Sequence, residues 1–386
     1  MRIGWLFRWI GSGLLWLMVA LCLALTIVPH FLDARYYRGP VTDHFDGERF
    51  FNPDGDDGVP VSGSGPILRY LTGGDDKPDW PSRVAITPAK PPARVPGGRM
   101  LVTWIGHSSV LVQTQGLNIL TDPVWSDTAG PFGIGPKRVA EPGVRFEDLP
   151  RIDLVLVSHD HYDHMDLATL KRLWARDRPL VVTSLGNDSV IGQAGVPATA
   201  RDWGGRVQVR PGIQVIVNRG HHWDSRWFAD RDRALWSGFV LTLPGGNLFF
   251  AGDTGAGDLK WADQAASYGP IRLALIPIGA FRFAAGQMAA GSHIGPVDAV
   301  EVYRRLGAAH AIGVHWGTFR LSYEAWDTPP KLLADAERCT GQSGFESIAI
   351  GRSVAVPGSA PPPSRPAMSR DALLHCLDTP AVAALR

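Results

Sequence analysis

Cysteine is scarce: three in 386 residues, Cys22, Cys339 and Cys376, with no Cys-x-x-Cys pair. The chain therefore offers no thiolate cage for a structural zinc, and the count says little about redox compartment. An excess of charge is missing too. Lys and Arg total 38 against 37 Asp and Glu, a formal net charge of +1. No basic block stands out, which argues against nucleic acid as the primary partner, because phosphate-backbone binding leans on clustered cations. No internal repeat is evident. What remains is 45% hydrophobic content, enough for a large core, and roughly 310 residues between the chain's ends, a size that one layered domain can fill.

One long apolar run, WIGSGLLWLMVALCLALTIV from Trp9 to Val28, is about long enough to span a bilayer as a helix. It lacks a small-x-small cleavage site, and the Leu before Cys22 makes a poor lipoprotein signal. Residues 1–29 are therefore read as a retained anchor rather than a cleaved signal. Arg2 and Arg8 precede the run and Arg35 and Arg38 follow it. The usual arrangement, N-terminus inside, puts the rest of the chain on the outer, periplasmic face of a bacterial inner membrane. Residues 30–98, rich in Pro, Gly and Asp, read as an extended arm. Residues 359–386, opening SAPPPSRPAMSR, read as a flexible tail with a weak helical end.

Between them, over 99–358, short β-like runs such as MLVTWIG, SVLVQT, LNILTD, DLVLVSH, QVIVN, NLFFAG and AIGVHWG alternate with helical segments such as DLATLKRLWARD and VDAVEVYRRLG. Many strands with helices inserted between them predict a layered α/β domain.

The segment Ser158–His164, Ser-His-Asp-His-Tyr-Asp-His, puts three imidazoles and a carboxylate directly after one of those runs. In extended chain His159 and His161 share a face and can grip one cation; Asp163 and His164, at the following turn, can reach a second. Imidazole plus carboxylate suits zinc best, with iron or manganese as competitors. A histidine cluster on a solvated loop is the bland alternative. Other apolar runs end in the same way: His221 and His222 follow QVIVNRG, Asp253 follows NLFFAG, and His315 follows AHAIGV. Four strand ends of one character point to a shared centre.

The pattern resembles the metallo-β-lactamase superfamily, whose mark is His-x-His-x-Asp-His followed by a lone His, a lone Asp and a last His. The phrases WIGHSSVLVQ, NILTDPVWS, GPKRV, HHWDSR, FFAGDTG, SHIGPVDAV and GVHWGTF are similar to the branch containing N-acylphosphatidylethanolamine-hydrolysing phospholipase D and its bacterial relatives. The resemblance runs from about Phe45 to about Pro357. It implies a four-layer αββα sandwich with two metal ions at one edge. His159, His161 and His222 would hold the first metal; Asp163, His164 and His315 the second; Asp253 would bridge them. It also implies that part of the arm, around HFDGERFFNP, lies against the catalytic domain.

Two dications sharing a water make a hydroxide nucleophile near neutral pH. Asp163 is then the expected catalytic carboxylate, orienting that hydroxide and passing a proton to the leaving group. The branch places a histidine at the position of His293 close to the site, where it would hold the phosphate or protonate the leaving group. Asp122, in ILTDP, is the expected acceptor that fixes a ligand histidine's tautomer, and it could equally just open the Asp-Pro turn. His107 and His221 are neighbours of the ligands; His107 more readily packs, and the role of His221 is open. Lys137, Arg138 and Arg226 could meet an anionic substrate group, and Trp125, Phe132, Trp227, Phe281 and Phe283 could line an approach for acyl chains.

The reading is a dinuclear hydrolase acting on a small-molecule or lipid substrate at a membrane, a phosphodiesterase of phospholipase D type. The alternatives are a lactonase or other ester hydrolase, and a non-catalytic membrane-bound scaffold, which would have no need of a complete ligand set.

Overall fold

The computed structural model describes residues 3–55, 78, 80–227, 229–283, 287–288, 291–358 and 367–385. Its first element is a long helix, α1 (Ile3–Leu32). The stretch Arg8–Leu32 within it has a mean hydropathy of 2.3 and none of it is buried against the rest of the chain.

Two seven-stranded sheets follow. The first contains β1 (Met100–Gly106), β2 (Ser109–Thr114), β3 (Leu117–Thr121), β4 (Leu154–Val157), β5 (Leu180–Ser184), β6 (Thr199–Arg201) and β14 (Ser353–Val356), in the order β14-β1-β2-β3-β4-β5-β6. The second contains β7 (Arg206–Arg210), β8 (Ile213–Asn218), β9 (Gly238–Leu241), β10 (Asn247–Phe250), β11 (Ile271–Pro277), β12 (His310–Val314) and β13 (Phe345–Glu346), in the order β13-β12-β11-β10-β9-β8-β7. Each sheet is antiparallel in one half and parallel in the other.

Alternation within a strand assigns the layers. In β4, Leu154 and Leu156 join the core shared with the second sheet, while Val155 and Val157 face a second cluster. That second cluster is closed by Leu170 and Leu173 of helix α2 (Leu167–Asp177) and by Val190 and Ile191 of α3 (Asn187–Gly192). A strand buried on both faces needs a continuous apolar run, which is what LVLV supplies. The other sheet's outer face is covered by α4 (Lys260–Ser267), α5 (Pro296–Leu306) and α6 (Thr328–Thr340), whose apolar faces join the main core. The architecture is the expected αββα sandwich. Strands β5, β6 and β7 and helices α3, α4 and α6 complete it; the edge strand β7, RVQVR, carries alternating exposed Arg and Gln and gives a weak apolar signal.

The described part of the arm lies on the domain. Phe45 and Phe50 are buried against Leu235 and Trp236, and Asn52 accepts hydrogen bonds from Trp236 Nε1 and His222 N. At the other end of the chain the expectation of a loose tail needs correction. Residues 370–377 and 380–383 form helices α7 (Arg370–Leu377) and α8 (Pro380–Ala383), with Leu373, Leu377 and Val382 buried in the main core. Cys376 on α7 is disulfide-bonded to Cys339 on α6. The composition of 359–366 suggested looseness, but those residues lie outside the described set; the amphipathic end beyond them has a face to bury and a covalent tie.

Candidate metal centre

Strand direction brings the site together. Strands β1, β3 and β4 run parallel to one another, and so do β8, β10 and β12, as their ladders require. The chain leaves these strands at His107, Asp122, Ser158–His159, His221–His222, Asp253 and His315. The carboxyl ends of both sheets therefore deliver imidazole and carboxylate to one edge of the sandwich. Three of these residues, His107, Asp122 and His315, have left-handed φ values of 52°, 29° and 64°, a strained backbone that tends to persist where side-chain aim matters.

His159 Nε2 lies 2.8 Å from His161 Nδ1, which lies 3.4 Å from His222 Nε2. The opposite ring nitrogens of the outer two are engaged: His159 Nδ1 with Ser158 Oγ, and His222 Nδ1 with the Ser292 carbonyl at 2.8 Å. A histidine that donates through Nδ1 turns the lone pair of Nε2 inward, so these hydrogen bonds set the ligand tautomer. Burial depresses all three imidazoles, His161 to about 3. They are neutral at physiological pH, the form a metal ion takes. Lone pairs converging this closely repel unless a cation sits between them.

A second group adjoins the first. His164 Nε2 and His315 Nε2 each approach Asp253 Oδ2 to 3.0 Å, and Asp163 Oδ2 to 3.3 and 3.6 Å. Asp253 Oδ2 is also 3.9 Å from His222 Nε2, so it stands between the two groups. Asp253 Oδ1 is buried without a hydrogen-bond partner among the described residues, and the two Nε2 atoms meet only carboxylate oxygens. Buried polar atoms of that kind call for an unseen partner. Burial alone would raise Asp163 and Asp253, but His164 and its neighbours hold both well below the ordinary carboxylate value. Burial likewise opposes charge on His164 and His315, yet the two aspartates outweigh it and lift both, His315 to about 9. Such an anion-rich pocket takes its positive charge from protons or from a metal ion competing for the same lone pairs. The donor sets fit a pair of ions with nitrogen and oxygen ligands.

Residues 117–316, more than half of the chain, match the Beta-lactamase superfamily domain. The chain belongs to the metallo-β-lactamase superfamily. Relatives include an uncharacterized protein of Mycobacterium tuberculosis, 36% identical over 247 residues that cover 62% of this chain and 64% of that one. The N-acyl-phosphatidylethanolamine-hydrolyzing phospholipase D 1 of Caenorhabditis elegans is 34% identical over 267 residues, covering 65% of this chain and 74% of that one. The chain thus spans somewhat under two thirds of the mycobacterial relative's length. Among solved structures, the metallo hydrolase Igni18 of Ignicoccus hospitalis overlays with a TM-score of 0.52 at 20% identity, over 68% of this chain and all of that one, a likeness of fold.

Around this superfamily centre the other expected residues sort unevenly. Asp122 accepts from His164 Nδ1 at 2.6 Å and from Ser158 Oγ and N, so it does more than open its turn. His107 does not merely pack: its Nε2 is 2.8 Å from Asp163 Oδ2. His293 is near the centre, its Nδ1 3.7 Å from Asp253 Oδ2, and Phe283 is 6.3 Å from its ring. His221 points elsewhere, to Asp54 of the arm at 3.0 Å.

The two arginines expected to bind an anion are engaged by backbone carbonyls. Arg138 is turned inward, donating to the carbonyls of Val124 and Ser126 beneath Phe319. Arg226 donates to the carbonyls of Asp160 and Met165 and lies 3.7 Å over Tyr162, bracing the loop that carries His161, Asp163 and His164. Lys137 is simply exposed. Of the aromatics, Trp125 donates to the Val144 carbonyl and packs on Phe146, and Phe281 is fully buried in the core. Neither lines an approach. Phe132 is 89% exposed and touches Trp227, which touches Tyr162.

Sequence reasoning missed Asn52, which bonds both the N–H and the carbonyl of His222. No local signal marks an asparagine whose partner is 170 residues away. It also missed Gly255, where a Cβ would come within 1.8 Å of the Gly291 carbonyl; only glycine lets the loop carrying His293 lie against the one carrying Asp253.

Proposed function

We propose that the chain is a dinuclear metal-dependent hydrolase, a phosphodiesterase that cleaves the headgroup bond of a phospholipid of the N-acylphosphatidylethanolamine type. The observation that carries the hydrolase is the pair of adjoining donor groups sharing Asp253. The lipid substrate is supported by the name of the Caenorhabditis elegans relative and by the apolar helix α1. His159, His161 and His222 would hold one ion, Asp163, His164 and His315 the other, with Asp253 between. When bound, such a pair supplies a hydroxide nucleophile near neutral pH and Lewis-acid polarisation of a phosphoryl group.

The chain's own residues do the rest. Asp163, aimed by His107, is positioned to orient the attacking oxygen and to carry its proton toward the leaving alkoxide. Water adds to phosphorus as the bond to the headgroup oxygen breaks, giving a phosphatidic acid and an alcohol. Burial depresses His293 to about 4, so it is neutral at pH 7. That favours its holding a phosphate oxygen through an N–H over its protonating a leaving group outright.

The experiment is hydrolysis by the metal-replete full chain of a panel of phospholipids, aryl phosphodiesters and lactones, with zinc, iron or manganese supplied. Release of phosphatidic acid from N-acylphosphatidylethanolamine is expected. Turnover of lactones alone would leave the metal centre standing and overturn the substrate. We also read α1 as an inner-membrane anchor with the domain in the periplasm; the Cys339–Cys376 disulfide supports an oxidising side of the membrane.

A further inference from the structure

Large apolar residues scattered singly on a surface need no explanation. Those beside this metal centre are not scattered. Phe132 and Ile134 are 89% and 73% exposed on one loop, in a Gly-rich turn, and Phe132 holds a left-handed φ of 54°, which a bulky residue rarely adopts. The Phe132 ring is 5.9 Å from that of Trp227, and Trp227 is 6.5 Å from Tyr162, which sits between His161 and Asp163. An apolar crown thus borders the mouth of the site.

The loop that carries Trp227, on which Phe132 packs, is fastened to the exit of α1. Asp230 accepts from Trp227 N and Arg226 N through Oδ1 and from Tyr36 Oη through Oδ2, at 2.8, 3.1 and 2.8 Å. Arg233, itself buried, grips Asp33 through Nε and a terminal nitrogen at 2.6 and 2.8 Å, and Arg49 adds a third contact. Tyr36 lies four residues beyond the last residue of α1, a reach of at most about 14 Å. The span Arg8–Leu32 is 25 residues, or about 37 Å of helix against a hydrocarbon core of about 30 Å. Asp33 to Tyr36 therefore emerge at headgroup depth, and two short polar clamps hold the crown close to that level.

We propose that Phe132, Ile134 and Trp227 form a surface that seats in the outer leaflet of the bilayer that α1 crosses, held at a fixed attitude to the anchor by Asp230 and Arg233. The occupant is lipid, because the clamps hold Trp227, and through its ring contact Phe132, within a few residues of the point where the chain leaves its own apolar helix. This rests on α1 being a retained anchor and not on the identity of the substrate.

The test uses the full chain in nanodiscs of phosphatidylethanolamine and phosphatidylglycerol containing doxyl-labelled lipid. In a Cys22→Ser background, an environment-sensitive fluorophore is placed at Ile134→Cys or, as a control on α6, at Ala334→Cys. The probe at 134 is expected to be quenched several-fold more than that at 334, and Asp33→Asn with Tyr36→Phe should bring the difference down. If that double variant fails to fold, the comparison of the two positions decides. Equal quenching overturns the proposal. So does a probe at 134 that is shielded but unquenched, with energy transfer between copies, which would mean that a second chain covers the crown. Recovery of a chain lacking the residues before His30 overturns it too. None of these readouts depends on phospholipid turnover, so loss of the substrate reading and loss of this one are separable.

Discussion

Asp122 shows how far one carboxylate can set the chemistry around it. It holds His164 by Nδ1 and Ser158 by two bonds, and Ser158 in turn engages His159, so a single residue outside the ligand set reaches both donor groups. Asp122→Ala is expected to weaken metal retention by roughly 10- to 100-fold, the usual loss when such a partner is removed; chelator competition on the folded protein would read it, and unchanged retention would contradict it. Asp163→Asn should cut turnover by about 10²-fold or more while elemental analysis shows less metal loss than for His159→Ala. Full activity in the Asn variant would remove Asp163 from its proposed role. The motif at residues 159–164 and the strand-end His222, Asp253 and His315 were legible as residues with metal chemistry after apolar runs, and the resemblance sorted the seven into two groups. Asn52, Gly255 and Ser292 were not. They act through backbone contacts between segments far apart in sequence, where no residue type is diagnostic. The arginines misled for a related reason: Arg138 and Arg226 have the right charge for a substrate, but carbonyls at loop turns had prior use for it.

At the scale of the element, the arm behaves as part of the domain's wall. His44 lies between Asp43 and Asp202 at 2.6 and 2.8 Å and stacks on Trp203. Burial opposes its protonation, but the two carboxylates prevail and raise its pKa above 6.5. A folded value above the unfolded one means that the stabilisation is complete below about pH 6.5 and is lost as pH rises through the folded value. Hydrogen-exchange protection of the arm around residues 42–52 should therefore fall across that window, and His44→Gln should flatten the dependence; a pH-independent arm in the wild type would refute it. Phe50→Ala should cost about 3–5 kcal/mol, as for other buried aromatics, measurable by denaturant unfolding. Strands and helices with strong apolar periodicity could be read from the sequence; the arm's docking was legible only through the resemblance, and the burial of the C-terminal helices was not legible at all, since Pro- and Gly-rich composition reports the loss of regular structure and not the loss of contacts.

For the whole molecule, the disulfide ties the C-terminal helices to α6 across 37 residues. Closing a loop of that size in the unfolded chain is worth about 4 kcal/mol in the entropic account. Reduction, or Cys376→Ser, should lower the midpoint of thermal unfolding accordingly, and thiol-alkylation mass spectrometry on protein from intact cells should find both cysteines blocked if the domain faces the periplasm. Alternation of strands and helices gave a layered α/β domain and the resemblance alone gave its αββα order; the pairing of cysteines was in neither, because two thiols carry no spacing rule when their helices meet only in the folded state.

The bonds between Asn52 and residues 222 and 236 also impose an order in time. The chain is made from its N-terminus, so the arm exists before the residues that will cover it. At roughly 5–20 residues per second, the wait is on the order of 10–30 s. Through that interval Phe45 and Phe50 can pack only on each other and on Tyr37, and the contacts to Leu235 and Trp236, at such separations in sequence, form late. The arm therefore waits on the strands made after it, and its docking belongs to the last part of synthesis rather than the first.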